Sequence, residues 1–77
     1  MKEQLAAFIN ERMEAQGLNK MGLARKAEMN RATLIHICQG KHAPTLENVY
    51  KILHALNCTM TDFELWLEYK TFKSEEK

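Results

Sequence analysis

Apolar residues recur along the chain at intervals of three and four, the period of a helix buried on one side. The first run, over 3–16, sets Leu5, Ala6, Ile9 and Met13 on one arc and charged residues on the other, with Gly17 following as a C-terminal cap. From Lys20 the spacing returns in Leu23, Ala24 and Ala27. After a break near Glu28 and Met29 it resumes in Leu34 and Ile37, in a helix from Asn30 to about Gln39. Asn19 and Asn30 precede these two short runs, and an asparagine oxygen there accepts a hydrogen bond from the free amides of a first helical turn. A fourth helix starts at a capping Thr45 and runs to about Leu56 on a stripe of Leu46, Val49, Leu53 and Leu56, with Asn57 as a left-handed cap. Thr61-Asp62-Phe63-Glu64 has the form of a capping box and predicts a fifth helix over 61–73.

Two features of this pattern concern function. In the stretch 20–39, two short helices share one apolar seam, and small Ala24 and Ala27 let them cross closely. Arg31, Ala32, His36 and Gln39 fall on the side of the second helix away from Leu34 and Ile37, an exposed face of mostly hydrogen-bonding groups. Ile35 shares that open side, where a branched apolar group is unexpected. The fifth helix has two apolar arcs, Phe63, Trp66 and Leu67 on one side and Leu65, Tyr69 and Phe72 on a nearly opposite one. One arc docks on the bundle and the other calls for a partner, with a groove within the same subunit as the simpler alternative.

Composition narrows the class. Seventy-seven residues with one proline and three glycines point to one small all-α domain, near the lower size at which a core folds without staples. The net charge of +1 argues little by itself, but its distribution argues more. Between Asn19 and Pro44 stand Lys20, Arg25, Lys26, Arg31 and Lys41 against Glu28 alone, a balance of +4, while the rest of the chain carries −3. Positive charge thus collects on the two-helix unit.

That unit resembles the helix-turn-helix of the Cro and phage-repressor family, the xenobiotic-response-element regulators. The likeness rests on Leu18 with a polar residue before the second helix, the Leu23-Ala24 pair, Ala27, Met29 in the apolar turn slot, Asn30 as cap, and Leu34 and Ile37 in the seam. Gly40-Lys41 and Pro44-Thr45-Leu46-Glu47 fit the family's next loop and helix, so that the resemblance spans about Ile9 to Phe63. It implies a lambda-repressor-like DNA-binding domain over 1–73, with 74–77 as a disordered tail. Lys20, Arg31, Ala32 and His36 are then expected at base edges, and Asn19, Asn30, Thr33, Lys41 and His42 at the DNA backbone. A homodimer through Leu65, Trp66, Tyr69 and Phe72 would set two recognition helices on successive major grooves of a palindromic operator.

The chain also departs from the family. Met13 and Cys38 stand where many members carry an Arg and Glu pair joining the first helix to the recognition helix, which predicts apolar packing of Met13 near Cys38 instead. Glu28 occupies a turn position that often holds glycine, and Asn57 another; a positive φ at Glu28 carries strain of order 1 kcal/mol. Gly22, inside the second helix, is expected to cost about 1 kcal/mol relative to alanine and to be tolerated as an exposed site, with close approach to a phosphate as the alternative.

Other chemistries find little support. His36, Cys38 and His42 cluster in sequence, and His54 precedes Cys58 by one turn, but neither set has the spacing of a metal site. The two cysteines are expected as free buried thiols, and no cofactor is expected. No phosphate loop, nucleophile elbow or carboxylate pair suggests an enzyme. The opening MKEQLAAFIN lacks the apolar run of a signal peptide, so a cytoplasmic protein is expected. The sequence therefore points to a sequence-specific transcriptional regulator, a repressor by occupancy. The alternative is a protein-interaction module, such as an antitoxin that neutralises a partner and regulates its own operon.

Overall fold

The computed structural model describes the backbone of residues 1–75 and the side chains of residues 1–71. Five helices follow one another: α1 (Lys2–Gln16), α2 (Lys20–Ala27), α3 (Arg31–Cys38), α4 (Leu46–Ala55) and α5 (Met60–Glu75). The fold is all-α, as expected. Helix α2 packs on α3 and α4, while α1 packs on α3 and α5. Their apolar faces meet in one cluster centred on Ile9, Leu23, Leu34, Ile37, Ile52, Leu53 and Leu56.

All four interhelical turns begin with the same reversal. The chain passes through a left-handed residue, Gly17, Glu28, Gly40 or Asn57. The amides of that residue and the next then bond back to carbonyls of the last helical turn, as in Gly17 N to Glu14 O and Leu18 N to Met13 O. Leu18, Met29 and Cys58, the residues that follow three of these turns, fold onto the apolar cluster. Lys41, which follows the fourth, is exposed.

Polar ties complete the bundle. The Asn10 side-chain amide donates to the Cys38 carbonyl at 2.9 Å and holds α1 to the end of α3. Gln16 Nε2 donates to the Leu56 carbonyl at 2.7 Å. Met13 and Cys38 are both buried in the common cluster, on helices that pack together, and Asn10 makes its bond one turn before Met13. The α1–α3 junction is therefore apolar, with one amide bond across it.

Helix α5 docks through aromatic rings. Phe8 lies 5.2 Å from Phe63 and 5.5 Å from Trp66, centroid to centroid. Trp66 Nε1 donates to Glu11 Oε2 at 3.2 Å, and Lys70 Nζ reaches the same carboxylate at 3.7 Å.

Several expectations are corrected. The capping box of α5 is Thr59 with Asp62, two residues earlier than the Thr61–Glu64 reading: Thr59 N donates to Asp62 Oδ2 at 2.7 Å, and Asp62 N to Thr59 Oγ1 at 3.2 Å. The turn at Asn57 ends by Cys58, so Thr59 is the first residue placed to cap. Leu46, assigned to the α4 stripe, is 64% exposed, because the first turn of α4 extends past the edge of the core; Ile52, fully buried, takes its place. Helix α5 reaches Glu75, so the expected tail over 74–77 begins within that helix, and 76 and 77 lie outside the described residues.

Candidate nucleic-acid interface

The two short helices begin on side-chain caps. Asn19 Oδ1 accepts from Gly22 N at 2.7 Å, and Asn30 Oδ1 from Ala32 N at 2.8 Å. Gly22 belongs to this device: a Cβ there would lie 3.2 Å from the capping Asn19 oxygen, closer than ordinary contact. It is half-buried, so the expectation of a merely tolerated exposed glycine is replaced by a steric one. Glu28 ends α2 at φ 54°, in the left-handed region, and Met29 turns inward, which aims Asn30 and α3 across α2.

With Leu34, Ile37 and Cys38 buried, α3 presents Arg31, Ala32, Thr33 and His36 to solvent. Asn19, Lys20 and Asn30 at the helix starts are exposed, as are Lys41 and His42 beyond α3. Ile35 is half-buried, less open than its sequence position suggested. The three ion pairs among the described residues all lie outside 19–44, so the cations of this stretch are not neutralised by neighbouring acids. Burial pushes the Cys38 thiol pKa up, with Lys20 pulling weakly the other way.

One relation was not foreseen. Gly40, at φ 72°, folds the chain back over the end of α3, and Lys41 N bonds the His36 carbonyl at 3.1 Å. His42 then lies against His36, ring centroids 5.1 Å apart and planes 30° from parallel. The signal was present in Gly40, since a left-handed residue there brings position 42 over position 36. Thr33, His36 and His42 line a recess of about 230 Å³ against the start of α4.

The residues expected at a dimer interface separate. Leu65 and Tyr69 are 58% and 57% exposed on the outer arc of α5. Trp66 instead turns inward onto Phe8 and Phe63, and the side chain of Phe72 lies outside the described residues. An apolar groove of about 410 Å³ runs beside α5, bordered by Met1, Leu5, Leu46, Val49, Met60 and Leu67. Among the described residues no cluster of three metal-binding side chains occurs, and no helix is long and apolar enough to cross a membrane.

Comparison with known proteins agrees with this geometry. A family model described as helix-turn-helix matches residues 9–63. The crystal structure of the clp gene regulator ClgR from Corynebacterium glutamicum superposes with a TM-score of 0.82, covering 97% of this chain and 81% of that one at 17% identity. At that identity the likeness speaks for the fold. No curated protein matches the sequence.

Proposed function

Because the chain belongs to the helix-turn-helix family of DNA-binding transcriptional regulators, we propose that it reads a specific operator through α3, as a homodimer, and represses by occupancy. The observation that carries this reading is the open face of α3, where Arg31, Ala32, Thr33 and His36 lie together with no acid paired to the surrounding cations. In this reading Arg31 in the first turn reaches guanine O6 and N7, Ala32 a thymine methyl, and His36 and Lys20 the neighbouring edges. Asn19 and Asn30 use their oxygens to cap α2 and α3, and their side-chain NH2 groups remain as donors for phosphate. Thr33 and Lys41 set register on the backbone without specifying bases.

The domain spans 1–73 in this reading, and the outer arc of α5 forms the dimer through Leu65 and Tyr69, with Phe72 one turn on. Two copies of α3 would then enter major grooves about 34 Å apart. Trp66 supports the interface from beneath by seating α5 on α1.

The test is selection from a random duplex pool by the purified protein at near-physiological salt. A palindrome with half-sites about one helical turn apart is the expected result. Weak, salt-sensitive binding without enrichment would overturn it. That result would favour the second reading, a protein-interaction module such as an antitoxin, which the 410 Å³ apolar groove and the exposed Leu46 also suit.

A further inference from the structure

We infer that His42 is a positioning residue for His36, so that the two histidines read one base pair as a unit. The inference rests on the DNA-binding reading above and adds a residue whose effect on sequence choice passes through another side chain. An exposed histidine on a helix ordinarily samples several rotamers, and each would offer the groove a different nitrogen. Stacking against His42 restricts that choice for His36. The reversal at Gly40, held by Gly40 N to Ile37 O at 3.0 Å and Lys41 N to His36 O at 3.1 Å, lays His42 on one face of its ring. Thr33 and Ile37, one turn before His36 and one residue after it, line the same recess, as do Ala43, Pro44, Thr45 and Asn48. The loop that carries His42 is itself anchored, because Thr45 Oγ1 caps α4 by accepting from Asn48 N at 3.2 Å.

No carboxylate lines the recess, so no acid competes with His42 for the His36 ring.

The experiment compares wild type, H36A, H42A, H42F and the double alanine variant on the selected operator and on operators changed at each base pair. H42A is expected to lose discrimination by about threefold to tenfold at the same base pair as H36A, and the double variant to lose no more than H36A alone. H42F keeps a ring over His36 and is expected to restore discrimination. Equal weakening of H42A on every duplex, with a shallower salt dependence, would identify a plain phosphate contact and overturn the inference while leaving operator recognition standing. Absence of discrimination by the wild type would overturn operator recognition itself, and the inference with it.

Discussion

The turn that follows α2 and the turn that follows α3 use one backbone device for opposite ends. Both pass through a left-handed residue, Glu28 or Gly40, and both close with paired amide bonds onto the preceding helix. They differ in the next residue. Met29 folds against the apolar cluster, which sets the crossing of α2 and α3 and so aims Arg31 outward. Lys41 stays in solvent and carries the chain on to His42. The reversal is indifferent to what comes after it, and the polarity of a single side chain decides whether the turn builds core or presents a charge. In the proposed complex the first turn delivers a base reader, and the second delivers Lys41, which holds the backbone.

The largest expected effect separates those two deliveries. Arg31→Ala should lower operator affinity by about 1–3 kcal/mol and relax choice at one base pair, measured by competition between specific and random duplex. Equal loss on both would move Arg31 to the backbone class. On the structural side, Met29→Lys should destabilise the fold by about 2 kcal/mol, since it removes half-buried packing and draws a cation toward the core. A denaturation midpoint unchanged within error would mean that Met29 does not hold the turn.

Exchanging the left-handed residues should give changes of opposite sign. Gly40→Ala forces a Cβ into the left-handed region and is expected to cost about 1 kcal/mol, while Glu28→Gly relieves the same strain and should gain somewhat less. Equilibrium unfolding of both variants checks the pair, and a loss in both would show that Glu28 contributes more than its backbone shape. Lys41→Ala should leave stability unchanged, weaken all duplexes alike, and reduce the salt slope by about one unit; a salt titration of binding decides it.

The smallest effect concerns Cys38, which closes α3 just before its turn, where α2 has Ala27. Its folded pKa lies above the ordinary 9.0. The unfolded chain therefore releases the thiol proton first as pH rises. Stability is complete below about pH 8 and is lost as the pH climbs through the folded value. Thermal melts between about pH 8 and 10.5 should show a decline that Cys38→Ala lacks; matching slopes would remove the thiol from the account.

Much of this was legible along the chain. The arcs of α1 to α3, the caps at Asn19, Asn30 and Thr45, and the reversals at Gly17 and Asn57 follow from spacing and from the few residue types that suit those backbone positions. The misses share a cause. Leu46 continues a helical stripe, but the bundle ends before it. Thr61 has the same capping pattern as Thr59, and only the exit of the preceding turn distinguishes them. Phe8 and Ile52 lie at the margins of their stripes, and their burial depends on where α5 and α2 come to rest. Gly22 looked tolerated because the oxygen that crowds its missing Cβ belongs to a cap whose geometry exists only once α2 has formed.

What the sequence determines by itself is local: helix period, caps and left-handed stops are set by each residue's own backbone and side-chain chemistry within a turn or two. What only the tertiary structure decided is juxtaposition. That Trp66 faces Phe8 while Leu65 and Tyr69 face out, and that Asn10 meets the Cys38 carbonyl, depend on where separate elements stop against one another. Close packing admits one such arrangement for the whole bundle at once, and no short stretch of sequence contains it.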